Sequence, residues 1–348
     1  MAKSKLMTFR GTLVCLCLLF LTGWSFAQEI KSLQSGKNTS IRGLSVVDNS
    51  VAWASGSNGY VANTKNGGKT WIWKQLPGYE KFDFRDIEAF SAQEAIIMSA
   101  GSPAVILKTT DGGLSWEEVY RNESPDIFLD GMDFWDRRRG IVYGDPIKGQ
   151  MQLLRTKDGG KSWEDISANL QESLADGEAS FAASGTAIRT ASKGQVWIAT
   201  GGSKSRIFFS DDYAKSWNFF PIPILQGNNS SGPFSIAFLD TQTGIAAGGD
   251  YLKDTLRRNN LVLTRDGGFS WFEPDVHPFG YRSAVEYLNK NVVIATGTSG
   301  TDISYDGGKT WKNISKEGFN AVRKAKQGNW VLLAGSKGRI SVFRINKE

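Results

Sequence analysis

Thr264-Arg265-Asp266-Gly267-Gly268-Phe269-Ser270-Trp271 is one of six versions of the same eight-residue text. The pattern is S/T-x-D-x-G-x-S/T-W, and its copies end at Trp71, Trp116, Trp163, Trp217, Trp271 and Trp311, at spacings of 45, 47, 54, 54 and 40 residues. A repeat of that period decides the architecture before any local propensity does. Within each copy the carboxylate, at Asp111, Asp158, Asp212, Asp266 and Asp306, accepts hydrogen bonds from N–H groups of its own turn, and the glycines take positive φ without a Cβ clash. Asn66 replaces Asp in the first copy, where an amide oxygen still accepts. Tyr213-Ala214 replaces Gly-Gly in the fourth, so that turn is expected to be distorted. One repeat has no core for an indole ring, so six tryptophans at one register are expected to wedge between neighbouring repeats. A reaction needs one carboxylate and this chain repeats an equivalent one, so the boxes read as structural hairpin turns.

Outside the boxes, short apolar runs alternate with turn residues. Between Tyr281 and Trp311 the text gives a strand over 283–288, a turn at Asn289-Lys290-Asn291, a strand over 292–296, a Gly-rich link, a third strand into the box, and a fourth from Trp311. That is a four-stranded antiparallel meander. Equivalent second strands lie at 51–54, 95–98, 140–143, 196–199, 244–247 and 330–333, making seven units. The last unit ends after three strands, with no box behind Ile340-Ser341-Val342-Phe343, whereas Ile30-Lys31-Ser32-Leu33 stands spare ahead of the first. The expectation is an all-β, seven-bladed β-propeller of four-stranded antiparallel blades, closed by the N-terminal strand completing the last blade. Such a closure removes the exposed edges of an open stack.

The beginning of the chain reads differently. Lys3, Lys5 and Arg10 precede an apolar run over 13–21 and a small-residue end at Ser25-Phe26-Ala27, which is the pattern of a Sec-type signal peptide cleaved after Ala27. The expected division is a signal peptide over 1–27 and a single propeller over 28–348, secreted or periplasmic, with no membrane span after cleavage. Both cysteines, Cys15 and Cys17, lie in the leader, so the mature chain offers no disulfide, thiol nucleophile or cysteine-ligated zinc. Without the leader there are 38 Lys and Arg against 35 Asp and Glu, and the net charge falls from +6 to +3. That balance gives no support to a nucleic-acid partner, and Arg137-Arg138-Arg139 and 253–258 read as solvated loops.

A box between strands three and four sends the links between strands two and three, and between blades, to the opposite face. Asp145, Lys148, Lys204, Arg206, Asp250, Tyr251, Lys253 and Asp302 fall in the first kind of link, and Glu178, Ser184, His277, Tyr281 and Arg282 in the second. Arg85 stands five residues before Phe90 as Arg282 stands five before Tyr287, so both are expected to point into one mouth. Loops from several blades around one depression make a binding face. The expected ligand-binding residues are Arg85, Asp145, Glu178, Arg206, Asp250, Tyr251, Tyr281, Arg282 and Asp302, for an acidic or hydroxyl-rich ligand. The alternative is that these residues cap turns and pair between blades. The longest inter-blade links, 167–182 and 221–233, are expected to form a rim or lid.

Repeated T-x-D-G-G-x-S/T-W boxes on a secreted seven-unit chain resemble the Asp-box, or bacterial neuraminidase repeat, class, and the mature chain most resembles the photosystem II stability and assembly factor family. Gly144-Asp145-Pro146, Gly177-Glu178, Ala183-Ser184-Gly185-Thr186, Gly248-Gly249-Asp250-Tyr251 and Gly280-Tyr281-Arg282-Ser283 are similar to a secreted bacterial subgroup of it. Members of that subgroup often carry a generic oxidoreductase label, for which these residues give no support. The resemblance implies a non-enzymatic monomer that binds a protein partner as an assembly or stability factor for an envelope complex.

The boxes are shared with sialidases and xyloglucan-cleaving enzymes, so they specify fold better than function. The alternative is a carbohydrate-active propeller, glycoside hydrolase or sialidase-like, acting on extracellular glycans. As a sialidase the chain departs from pattern: Phe84-Arg85-Asp86-Ile87 lacks the proline of an Arg-Ile-Pro stretch, and Glu286-Tyr287, as strand neighbours, point to opposite faces. Other glycosidases need two carboxylates about 5 to 9.5 Å apart, for which Asp145, Glu178, Asp250 and Asp302 are the candidates. The single His277 supplies neither a multi-histidine metal site nor a Ser/His/Asp system, and no Gly-rich loop opens a helix to hold a nucleotide. No catalytic residue, metal or cofactor is expected.

Overall fold

Seven antiparallel sheets follow one another along the chain in the computed structural model, which describes residues 27–346. Blade 1 comprises Ile41–Val46, Ala52–Gly56, Tyr60–Thr64 and Ile72–Gln75; blade 2, Asp83–Ala89, Ala95–Ala100, Ala104–Thr109 and Glu117–Asn122; blade 3, Leu129–Phe134, Gly140–Ile147, Gln150–Thr156 and Glu164–Asp165. Blade 5 has Ser231–Phe238, Gly244–Asp250 and Leu261–Thr264, with a single Leu263–Phe272 bridge where a fourth strand would stand. Blade 6 is Ala284–Tyr287, Val293–Gly297, Gly300–Ser304 and Lys312–Ser315. Blade 7 takes Ala321–Lys324, Val331–Ala334 and Ile340–Asn346 from the end of the chain and Ala27–Gln34 from its beginning, with Ile30 opposite Phe343. The closure read from the spare N-terminal segment is therefore present. The leader expected ahead of it lies outside the described residues, apart from Ala27.

First strands of successive blades touch around a closed cycle, blade 7 against blade 1 included, and so define a central axis. Second and third strands are buried on both faces, because each sheet is covered by its neighbours, and they read as continuous apolar runs such as Ala104–Thr109. Fourth strands are half exposed. One apolar cluster joins blades 2 and 3 through Ile96, Met98, Met132, Val142 and Leu154. Another joins blades 7 and 1 through Leu332, Ile340, Leu44 and Ala54.

The boxes are turns of the expected kind. In Asp266 one carboxylate oxygen accepts from Ser270 N at 3.0 Å and lies 2.8 Å from Thr264 Oγ1, while Gly268 N donates to that same hydroxyl at 2.9 Å. Asn66 keeps the acceptor role, taking Thr70 N at 3.0 Å, and turns its amide N–H towards Thr70 Oγ1 at 2.9 Å. The Tyr213-Ala214 turn is undistorted, contrary to the sequence expectation. Both residues adopt left-handed φ, 63° and 62°, and Ala214 N reaches Ser210 Oγ at 3.0 Å like its glycine counterparts. Tyr213 is held there by Trp135, ring centroids 5.4 Å apart, and by the Arg139 guanidinium 4.2 Å above its ring.

Box tryptophans sit at blade junctions, Trp116 meeting Trp53 of blade 1 edge-on at 6.2 Å. Only Trp311 among the six is fully buried, the others being half-buried. Box carbonyls also accept from the preceding blade: Asn63 and Lys74 reach Gly112 and Gly113 at 3.0 and 2.7 Å, and Trp197 reaches Gly267 at 2.7 Å. The box thus joins blades as well as turning the chain.

Blade 4 is irregular. Its inner position is split between Glu178–Ala179 and Ile188–Thr190, both paired with Val196–Gly202, which continues to Arg206–Ser210 and Asn218–Pro221. The intervening segment, 180–187, leaves the sheet and crosses the axis. Ser184 Oγ donates to Ser283 O of blade 6 at 2.7 Å, and Thr186 Oγ1 to Ser235 Oγ of blade 5 at 2.6 Å. Gly185 has a φ of 66°, and a Cβ there would lie 2.2 Å from the Asp86 carboxyl carbon of blade 2.

Candidate functional site

Where first strands begin, blades 1, 2, 3 and 5 each carry a β-bulge, at Ile41/Gly43, Phe84/Asp86, Leu129/Gly131 and Pro233/Ser235. A bulge leaves one residue outside the ladder and re-aims its side chain. The residues so placed are Arg42, Arg85, Asp130 and Phe234, and the same register in blades 6 and 7 holds Ser283 and Asn320. All six line one mouth of about 390 Å³ on the face opposite the boxes. Blade 4 contributes Ser180 to Ala183 of the crossing segment instead, and Phe128, Asp145, Tyr251, Tyr281 and Thr298 complete the wall.

Four residues expected at the site are in the mouth: Arg85, Asp145, Tyr251 and Tyr281. The others are scaffold. Glu178 and Arg206 form a buried pair within blade 4, with Arg206 Nη2 2.6 Å from Glu178 Oε2, and Arg206 Nη1 also reaches Glu172 at 2.7 Å. Arg282 and Asp302 pair within blade 6, Nε to Oδ2 at 2.8 Å with both side chains fully buried. Asp302 also accepts Phe279 N at 2.8 Å, and Asp250 caps a short 3-10 turn over Tyr251–Lys253 by accepting Leu252 N at 3.0 Å. The pairing is within blades rather than between them. His277 contacts Asn260 at 3.0 Å in an inter-blade link.

Arg282 misses the mouth because its match to Arg85 is one residue out of step. Ala89 pairs with Ala95 and Tyr287 with Val293 at the start of the second strands, so Arg85 corresponds to Ser283, and Arg282 to the core residue Phe84. A one-residue slip moves a side chain to the other face. Of the two long links, 167–182 supplies the rim through Ser180, Phe181 and Ala182, and Phe181 stacks on Phe234 with centroids 3.8 Å apart. The link over 221–233 instead buries Ile222 and Ile224 against the blade 4 core.

The mouth is chemically divided. Arg42 and Arg85 stand on blades 1 and 2. Arg42 donates to Ala183 O at 3.1 Å; Arg85 donates to Asp83 at 2.8 Å and to Ala182 O at 3.5 Å, and lies 5.6 Å over the Phe128 ring. Burial, and then the charge of Arg85, lower the Arg42 pKa from its ordinary value. Blade 3 presents Asp130 and Asp145. Asp130 is fully buried, and burial first and Asp145 second push its pKa well above the ordinary 3.8. Burial raises Asp145 as well.

At the box end of the axis a smaller recess of about 150 Å³ collects Asp86, Glu88, Asp133, Glu286, Arg189, Arg323 and Lys326. Its charges bind blades together: Lys326 of blade 7 meets Glu88 of blade 2, and Arg189 of blade 4 lies 3.6 Å from Glu286 of blade 6. Side chains here also cap N–H groups of the next blade's inner strand, Asp86 taking Met132 N at 2.8 Å and Asp133 taking Thr190 N at 2.7 Å. No group of three or more potential metal ligands occurs among the described residues. No helix among them is long and apolar enough to cross a membrane.

Comparison with known proteins agrees with the architecture. The family described as photosynthesis system II assembly factor YCF48 matches residues 27–125. The chain is 36% identical over 75 residues to the chloroplastic photosystem II stability/assembly factor HCF136 of Oryza sativa subsp. japonica, a match covering 21% of this chain and 18% of the rice protein. YCF48 bound to a D1 peptide superposes with a TM-score of 0.66 at 18% identity, over 92% of this chain and 97% of that one. YCF48 from Cyanidioschyzon merolae gives 0.64 at 18% identity, over 90% and 98%. A GH74 xyloglucanase from Xanthomonas campestris gives 0.59 at 15% identity, over 91% of this chain but 53% of the enzyme. At such identities the structural likeness is one of fold. The chain is an Asp-box seven-bladed propeller resembling the photosystem II assembly factor family.

Proposed function

We propose that this propeller takes a segment of a partner protein into its mouth, as a non-enzymatic, monomeric assembly or stability factor for a complex of the cell envelope. The observation that carries the reading is a contrast among its arginines. A guanidinium has five N–H donors. Arg206 and Arg282, in the scaffold, make four and three hydrogen bonds, to Glu172, Ser173 and Glu178 and to Asp302, Tyr281 and Ser299 respectively. Arg42 makes one hydrogen bond and Arg85 two. Two guanidinium groups with unused donors, beside the aromatic walls of Phe128, Phe181, Phe234, Tyr251 and Tyr281, suit an extended segment carrying an acidic group.

Support from outside the chain is the YCF48 structure, which holds a D1 peptide. The secreted or periplasmic setting rests on the leader pattern over 1–27. Of the four carboxylates considered for glycoside hydrolysis, Glu178, Asp250 and Asp302 are buried and engaged. Only Asp145 of that set lines the mouth.

A photo-crosslinking residue in place of Tyr251, which is 45% exposed at the rim, tests the proposal. The expected product joins the mouth to one segment of one envelope protein and disappears in Arg42→Gln/Arg85→Gln. Sugar release from a polysaccharide panel, lost in Asp145→Ala, would instead establish the carbohydrate-active reading.

A further inference from the structure

The mouth has a second pole that the arginines do not use. Asp130 lines the cavity although its side chain is fully buried, and neither of its oxygens makes a well-aligned hydrogen bond with a protein donor. Asp145 shares that wall, accepts Ser180 N at 3.0 Å, and is near enough for the two carboxyl groups to share a proton. The buried Tyr143 hydroxyl beside them is likewise without a partner. Arg85, the nearest cation, directs its Nε to Asp83 instead. A buried carboxyl reached only by the Ala182 N–H and by a proton shared with Asp145 is under-satisfied inside the free protein, at a cost in stability. A ligand donor would offset that cost.

We propose that Asp130 and Asp145 form a subsite for one cationic side chain, a lysine ammonium or an arginine guanidinium, of the bound protein segment whose acidic group meets Arg42 and Arg85. This rests on the protein-segment reading of the mouth and narrows it to a segment carrying both charges. Burial favours the protonated Asp130 carboxyl, so arrival of the cation displaces that proton to solvent, while the ammonium or guanidinium keeps all of its own. The groups facing Asp130 are Asp145 and Tyr143 of its own blade, Arg85 of blade 2, and the 180–183 segment of blade 4. Because binding releases a proton, affinity for the cation rises with pH.

Calorimetric titration with acetyl-Ala-Glu-Gly-Lys-Ala-amide and two relatives, norleucine for its lysine and glutamine for its glutamate, tests this at pH 6 and pH 8. The lysine peptide is expected to bind on the order of tenfold more tightly than the norleucine peptide, with the larger ratio at pH 8. Asp130→Asn, which retains the shape of the protonated carboxyl, should abolish that ratio and keep the preference for glutamate over glutamine. Arg42→Gln/Arg85→Gln should do the reverse. Equal binding of the lysine and norleucine peptides with the glutamate preference intact overturns the cation subsite and leaves the function standing, as does a lysine preference that survives in Asp130→Asn. Absence of any charge preference in the wild type overturns both.

Discussion

At the box face, six turns hold nearly the same side chains in the same hydrogen bonds. At the mouth, one register of six inner strands holds Arg42, Arg85, Asp130, Phe234, Ser283 and Asn320. Both sets occupy equivalent positions on equivalent blades, so backbone geometry cannot account for the difference. Uniform chemistry at the boxes answers a need shared by six blades, to turn the chain between the third and fourth strands, and in blades 2 to 5 the box carbonyls also accept donors from the preceding blade. Diverse chemistry at the mouth surrounds a single space, in which a different group on each side is what recognition of one asymmetric ligand requires.

Arginines assigned to the scaffold give the largest effect by which this contrast can be broken. Asp302→Ala strands the Arg282 guanidinium in a fully buried position, and a loss of about 3–5 kcal/mol is expected in chemical denaturation. Arg42→Gln, at the mouth, should change stability by less than about 1 kcal/mol. A stable Asp302→Ala protein would return Arg282 to the list of ligand groups. Next in size is Gly185→Ala, which puts a methyl 2.2 Å from an Asp86 carboxyl held by Ile87 N and Met132 N. It also imposes left-handed φ on alanine, and about 2–3 kcal/mol should be lost. An unchanged denaturation midpoint would show that blade 4 does not plug the axis.

Acid titration separates the two carboxylate populations. Box aspartates are held low: in Asp158 burial alone would raise the pKa, but the Ser162 hydroxyl and N–H bring it to about 2. Their stabilisation is complete above the ordinary 3.8 and is lost as pH falls towards about 2. On the axis, burial raises Asp86 to about 7, so its contribution is complete below 3.8 and is lost as pH rises through about 7. Glu88 and Glu286 are raised by burial in the same direction. Urea midpoints at pH 3, 5 and 7 should therefore be highest at pH 5. A midpoint rising steadily to neutrality would contradict the axial assignment. The smallest effect belongs to the irregular box, where Ala214→Gly relieves left-handed alanine but loosens the unfolded chain and should shift stability by less than about 1 kcal/mol.

The propeller was legible because its signals are local and repeated: the box, the turn dipeptides and a spare strand at Ile30 whose partner was missing at Phe343. The mouth was legible only in part. Four of its residues, Arg85, Asp145, Tyr251 and Tyr281, are among those the sequence places at a binding face. Arg42, Asp130 and Phe234 stand at bulges, where one extra residue resets an alternation that otherwise runs with period two. Ile41-Arg42-Gly43-Leu44 and Leu129-Asp130-Gly131-Met132 share an apolar, variable, glycine, apolar order that marks the bulge. Counting back from the first turn of each blade would have placed Ser283, rather than Arg282, opposite Arg85. The buried Glu178–Arg206 and Arg282–Asp302 pairs were beyond sequence, since identical charges serve a core pair and a ligand site.

The central claim, recognition at the mouth rather than the boxes, is tested most directly by quantitative affinity capture from the native envelope with three proteins of equal Tm: wild type, Arg42→Gln/Arg85→Gln at the mouth, and Lys69→Glu/Lys215→Glu at the box face. One discrete partner captured by the wild type and the box variant but lost from the mouth variant is the predicted result. A partner retained by the mouth variant and lost from the box variant would contradict the account.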